Sequence, residues 1–369
     1  MARTDPGSPA REAASRRPIV LVSDATEFGG AEVYLETLAR AAGPRERFVA
    51  LLGPAAAAET RSALDRAGVE VQVVEELRRR PRPGTVRGLR RAIASLDPKV
   101  VHVNATDQGD AGPAVIAARL TRRPTMVTIH VVAPNRARWR NRLSALVLRL
   151  ADLTTTVSSS SARELESIGI AATVVRNGVI PATQALDARA SLGLSRDQFV
   201  IGGVGRLTSQ KGWDVLIESA PVIHERVPDA VLAVIGDGEL AELEPRARSA
   251  GVQLLGHRDN AASLLSAFDL VVCPSRFEGL PLVPMEAMHA GIPIVASDIP
   301  SMREVIGDAG VLVPPENPAA LGAAIAGLAE DPASRATLAS AGRERAQELF
   351  TAERMAADTL AEYRLIGGG

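Results

Sequence analysis

The chain reads as an α/β protein of two successive domains, each built on a parallel sheet. Three observations predict this. Short apolar runs rich in Val, Ile and Leu alternate with helix-length stretches, the pattern of strands covered on both faces by crossover helices. The alternation runs through one series, pauses at a Pro- and Gly-bearing stretch over residues 177–184, and starts again. The charge also changes sign: residues 1–180 hold 27 Lys and Arg against 18 Asp and Glu, and residues 181–369 hold 15 against 25. A length of 369 residues with 46% apolar side chains suits two cores better than one.

Residues 1–17 are rich in Arg, Ala and Pro, lack the apolar centre of a signal peptide, and read as a flexible tail. The first domain spans 18–180. Its strands are expected at 18–23, 48–52, 70–74, 100–103, 125–129 and 153–157, and its helices at 31–42, 57–67, 85–96, 112–120 and 136–150. The second domain spans 181–349, with strands at 199–204, 230–235, 252–254, 270–273, 293–296 and 310–313. Its helices are expected at 212–225, 239–250, 261–268, 283–290 and 319–349, the last broken near Asp331-Pro332. Residues 350–369 form a terminal helix, with Thr351 as its N-cap, which has room to return to the first domain.

Several classes are excluded at this level. Cys273 is the single cysteine, so no disulfide forms within the chain, and a reducing compartment is the simplest reading. No apolar run approaches the roughly 20 residues of a spanning helix. A cytoplasmic protein is expected, with peripheral contact at the inner membrane face left open by basic segments at 78–91 and 136–149. The second segment turns from basic to apolar; it fits a lipid- or glycan-facing helix and a buried helix with a solvated start equally well. Basic and aromatic residues do not interleave as in single-strand nucleic-acid binders, so no nucleic-acid partner is expected.

Candidate chemistry gathers at the carboxyl ends of strands, where ligands bind in open parallel sheets. Gly29-Gly30 opens the first helix and lets backbone amides approach a phosphate, although a tight turn uses the same pair. It is not the G-x-G-x-x-G of a nicotinamide site. His130 leaves the fifth strand and can donate a hydrogen bond, with His102 and Asn104 on the same edge. Gly205-Arg206 ends the first strand of the second domain, and Lys211-Gly212 opens the following helix, so two cations can meet a phosphate. Glu278 and Glu286 flank the loop Gly279-Leu280-Pro281; a carboxylate accepts from two vicinal hydroxyls, which suits ribose or hexose. Glu286 is expected in the first turn of its helix, where the dipole also suits it. Gly256-His257 could frame a base through backbone contacts.

Taken together, Gly205-Arg206-Leu207, Lys211-Gly212, the Glu278-to-Glu286 element, Gly29-Gly30-Ala31-Glu32 and Asn177-Gly178-Val179 resemble the retaining glycosyltransferases of the GT-B fold, family 4. The resemblance runs from about residue 18 to residue 366. It implies two Rossmann-like domains facing across a cleft, the first for the acceptor and the second for a nucleotide sugar, with UDP the expected nucleotide. It implies that Arg206 and Lys211 hold the diphosphate, Glu286 the ribose, Glu278 the transferred sugar and the backbone at His257 the base. His130 would lie near the reacting sugar, and Gly30, beside Gly29, would approach the phosphates. Loop amides at Gly279 and Leu280 would reach the diphosphate. Many relatives carry Glu-Gly-Phe-Gly where this chain has Glu278-Gly-Leu-Pro281, and Pro281 has no N–H to give. With no Asp-x-Asp in the chain, no metal or other cofactor is expected. The residues also leave open a nucleotide-sugar epimerase or a non-catalytic binding protein.

Overall fold

The computed structural model describes residues 17–75, 77, 84–133, 137–238 and 243–368. The expected tail lies outside the described residues except for Arg17, as do 78–83 and 136 of the basic segments and 239–242 of one expected helix. The described chain divides into two units: residues up to Gly178 together with Ala352 onward, and Val179–Thr351.

In the first unit the strands are β1 (Ile19–Ser23), β2 (Phe48–Leu52), β3 (Glu70–Val73), β4 (Val100–Asp107), β5 (Thr125–Val131), β6 (Leu153–Thr156) and β7 (Thr173–Val174). They form one sheet in the order β3-β2-β1-β4-β5-β6-β7. The helices are α1 (Gly30–Ala42), α2 (Ala58–Arg66), α3 (Thr85–Leu96), α4 (Gly112–Arg119), α5 (Arg138–Leu148) and α6 (Ser159–Ser167). Every ladder is parallel, as in Ile19 opposite Phe48 and Val100. Apolar residues occupy both strand faces, and the two-residue period still sorts them. Val20, Val22, Val49, Val101 and Val127 face α3, α4 and α5, whereas Ile19, Leu21, Ala50, Val100 and Met126 face α1 and α2.

The second unit begins with the short α7 (Ala188–Ser191). Its strands are β8 (Val200–Val204), β9 (Val231–Ile235), β10 (Val252–Leu254), β11 (Leu270–Cys273), β12 (Ile294–Ser297) and β13 (Val311–Val313). They pair in the order β10-β9-β8-β11-β12-β13, again all parallel. Its longer helices are α8 (Trp213–Arg226), α9 (Leu243–Ser249), α10 (Leu282–Ala290), α11 (Pro300–Ile306), α12 (Pro318–Glu330) and α13 (Pro332–Leu349). The core on one face joins Trp213, Leu216 and Ile223 of α8 to Leu321 and Ile325 of α12 over Ile201, Leu232, Val272 and Val295. Asp331 separates α12 from α13 and caps α13, its Oδ1 accepting from the amides of Ala333 and Ser334.

The last helix, α14 (Ala352–Gly367), belongs to the first unit and packs on α1. Its attachment is polar as well as apolar. Thr359 gives its proton to the Met355 carbonyl, so the hydroxyl of Tyr34 on α1 donates to Thr359 Oγ1 at 3.1 Å. The Tyr363 hydroxyl reaches His102 Nδ1 at 2.6 Å.

Several local readings change. Residues 261–267 form a 3-10 helix, not an α-helix. β4 and β5 run on to Asp107 and Val131, so His130 stands inside a strand and does not leave one. The elements β7, α6, α7 and α11 are additions to the predicted set.

Candidate active site

In both sheets the strand order reverses beside the first strand, and loops on the two sides of that point emerge together. In the second unit the strands concerned are β8 and β11, so the loop from Gly205 lies beside the loop from Pro274. Backbone packs on backbone here, which is why glycine is required. A Cβ on Gly212, itself left-handed at φ 66°, would sit 2.1 Å from the Pro274 carbonyl oxygen. One on Gly236 would sit 2.0 Å from the Gly205 carbonyl oxygen. The buried Trp213 ring lies below, and its Nε1 donates to the Arg206 carbonyl at 2.9 Å.

Ser209–Lys211 is a 3-10 turn that carries Lys211 across to the neighbouring loop. Lys211 Nζ lies 2.6 Å from Glu278 Oε1, which also accepts from Ser275 Oγ at 2.8 Å. Gln210 Nε2 donates to Glu278 Oε2 at 3.2 Å and to the Phe277 carbonyl at 3.0 Å. The Glu278 side chain is only 8% exposed and that of Lys211 23%. A second clamp joins the same loops: Arg276 grips both Asp214 oxygens, at 2.9 and 2.7 Å, and donates to the Ser209 carbonyl at 2.6 Å. Hydrogen bonds from Arg276 hold the Asp214 carboxyl below its usual range. The sequence reading missed Gln210, Ser275, Asp214 and Arg276; the only sequence signal was an acidic residue in the first turn of α8.

Arg206 is exposed at the tip of the loop. Glu286 sits in the second turn of α10, not the first, so an interaction with the helix dipole does not explain it. It is half-buried and makes no hydrogen bond or ion pair to the described residues, and burial pushes its carboxyl up to about 7. Gly279 and Leu280 are buried, and Pro281 is the N-cap residue of α10. His257 is exposed, with Nε2 3.3 Å from Asp259 Oδ1, while Gly256 before it accepts from the Gly236 amide at 2.9 Å.

In the first unit the reversal lies between β1 and β4. Gly29 caps α1, and Gly30 is its first residue. The Gly29 amide donates to Glu32 Oε2 at 3.2 Å, so that N–H is already used, and Ser23 Oγ lies 3.4 Å from Glu32 Oε1. Burial raises the Glu32 carboxyl to about 7. His130 is buried, with its ring edge-on to Tyr34 at 5.1 Å and Nε2 2.8 Å from Asn104 Oδ1. Asn104 Nδ2 donates to the Ala31 carbonyl, so its Oδ1 must accept, and His130 Nε2 carries the proton. Burial lowers the His130 pKa to about 3. The neutral ring therefore presents Nδ1 as an acceptor, where the sequence reading expected a donor.

His102 is fixed differently. Thr155 donates to the Val127 carbonyl, Thr128 donates to Thr155, and His102 Nε2 donates to Thr128. His102 Nδ1 then accepts from Tyr363, so one ring nitrogen is held by β5 and the other docks α14.

Residues 28–183 match the profile of Glycosyltransferase Family 4, and residues 198–331 match that of Glycosyl transferases group 1. Over 291 residues the chain is 31% identical to the glycogen synthase of Mycobacterium tuberculosis, covering 73% of this chain and 69% of that protein. The chain belongs to glycosyltransferase family 4. A second relative is the phosphatidyl-myo-inositol mannosyltransferase of Mycolicibacterium smegmatis, 30% identical over 71% of this chain and 70% of that one. Among solved structures, Anabaena HepE in complex with UDP and glucose superposes with a TM-score of 0.81 at 22% identity, over 94% of this chain and all of that one. Sucrose-phosphate synthase from Thermosynechococcus elongatus gives 0.78 at 23%, over 96% and 100%. These likenesses establish the GT-B fold. Membership of family 4, a retaining and metal-independent family, makes the chain a glycosyltransferase and sets aside the epimerase and the binding protein.

Proposed function

We propose that the chain moves a hexosyl unit from a UDP-sugar to an acceptor hydroxyl with retention at the anomeric carbon, the second unit holding the donor and the first the acceptor. The observation that carries this reading is the cluster at the β8–β11 reversal: Lys211 paired with Glu278, Arg206 at the same loop tip, and Glu286 with no partner among the described residues. Two cations suit a diphosphate, and charge-assisted bonds of this kind contribute about 1.5–3 kcal/mol each. Glu286, half-buried and without a partner among the described residues, suits a ribose diol, since an ionised carboxylate accepts from two hydroxyls at once. Glu278 suits a hydroxyl of the transferred sugar, held at fixed orientation by Gln210 and Ser275. UDP is the nucleotide favoured because the HepE structures contain UDP or UDP-glucose.

In this reading the bond from the anomeric carbon to the diphosphate oxygen breaks while Arg206, Lys211 and the Gly279 and Leu280 amides stabilise the charge that develops on the leaving group. Pro281 contributes none. The acceptor oxygen joins the same face of the sugar, and its proton passes to the departing phosphate oxygen. The backbone at His257 borders the base. Replacing Arg206 with Ala is expected to lower turnover by at least 100-fold with the thermal melt unchanged. Near-normal turnover in that variant would reject the assignment.

A further inference from the structure

The helices α3, α4 and α5 lie side by side on one face of the first unit's sheet. None of the three contains an acidic residue. Their exposed arginines are Arg87, Arg90, Arg91, Arg119, Arg138, Arg140 and Arg142, and none of these pairs with a carboxylate among the described residues. The opposite face is of ordinary composition: α1, α2 and α14 carry Glu36, Asp65 and Asp358 among others. The asymmetry is therefore confined to one layer.

The same layer exposes apolar side chains in a pattern. α5 buries Ala145 and Leu148 against the core. A second stripe, Trp139, Leu143 and Leu146 with Leu150 just past the helix end, repeats at spacings of four, three and four residues and so lies along one side. Its members are exposed by 63, 54, 63 and 40%. The helix is thus apolar on an inner and an outer side, and arginines flank the outer one. The sequence fits a buried helix and a lipid-facing one equally well; α5 is buried on one side and exposes apolar side chains on the other.

The charge decides which occupant fits. A second copy would set arginine against arginine. An anionic polymer would satisfy the arginines and leave the Trp139–Leu150 stripe in water. An anionic phospholipid surface satisfies both, with phosphates against the guanidinium groups and the acyl boundary against the stripe. We propose that this face docks on an anionic bilayer, with α5 lying in the interface plane. No helix among the described residues is long and apolar enough to cross a membrane.

The test uses the full chain and vesicles of phosphatidylglycerol with phosphatidylcholine, or of phosphatidylcholine alone. The protein is expected to sediment with the first at low salt, far less at 0.5 M salt, and little with the second. The Arg138→Gln/Arg140→Gln/Arg142→Gln variant is expected to bind about 100-fold more weakly, and Leu143→Glu/Leu146→Glu at least 10-fold more weakly, each with an unchanged melt since the replaced side chains are exposed. The chain has two tryptophans, and Trp213 is already buried, so a blue shift of emission on vesicle addition reports Trp139. Absence of sedimentation, undiminished binding by both variants, or a dimer dispersed by Leu143→Glu/Leu146→Glu would overturn the proposal.

Discussion

Lys211 and Glu278 offer a quantitative test, because each is the other's main partner. At 2.6 Å their attraction is about 6 kcal/mol at an effective dielectric of about 20, before desolvation is subtracted. Removing one member of a buried pair costs about 3–5 kcal/mol, mostly from the charge left behind. The partial exposure of Lys211 reduces that when Glu278 is the residue removed. Glu278 is nearly enclosed, so Lys211→Met strands a charge in the worse place. Lys211→Met is therefore expected to lower unfolding free energy by about 3 kcal/mol and Glu278→Gln by about 2. Gln can keep the contacts from Ser275 and Gln210 with one amide reversed. The double variant leaves no stranded charge, so its loss should fall short of the sum by about 1–3 kcal/mol. Urea unfolding of all four proteins, in the absence of nucleotide, gives the coupling. Additive losses would mean that the 2.6 Å contact contributes no coupling, and the account of a preset clamp would fail.

Three further outcomes follow from the same geometry. His102 and His130 have folded pKa values near 3 against about 6.5 in the unfolded chain, so the unfolded state takes up more protons; stability should be full above pH 6.5 and fall on acidification towards pH 3, with a shallower slope in His102→Gln, measured by denaturant titration across pH. If Glu286 binds ribose as a carboxylate, nucleotide affinity should fall up to tenfold per unit below pH 7, and Glu286→Gln should bind weakly with no such slope in calorimetric titration. Gly212→Ala requires a left-handed alanine with its Cβ against the Pro274 carbonyl, and a melt showing less than about 1 kcal/mol of loss would contradict the packing described.

The fold was legible because the core strands are uninterrupted apolar runs. Phe48–Leu52 runs from Arg47 to Gly53-Pro54 and Leu270–Cys273 from Asp269 to Pro274, a charged residue before each and a strand breaker after, so their limits are readable from that alone. Reading failed where polar residues lie inside regular structure. Asn104 and His130 look like loop residues, yet buried hydrogen bonds let β4 and β5 continue through them. The Ser159–Ser167 helix is masked by serines, one of which, Ser158, is its cap. At the β8–β11 reversal, Lys211 and Glu278 are 67 residues apart in sequence. Their meeting depends on β8 and β11 being neighbours, which follows from the doubly wound order and not from either motif. The supports Gln210, Ser275 and Arg276 carry no pattern of their own, since what selects them is the loop-to-loop distance. The outer stripe of α5 was visible as spacing, but only its exposure separates it from a core stripe.

The central claim is that the second unit, at the β8–β11 reversal, holds the nucleotide diphosphate. Amide hydrogen exchange with and without saturating UDP tests it most directly. The account predicts added protection at residues 205–212 and 275–286, lost in Arg206→Ala. Protection confined to residues 23–32 and 102–131 of the first unit, or none at saturating UDP, would contradict it.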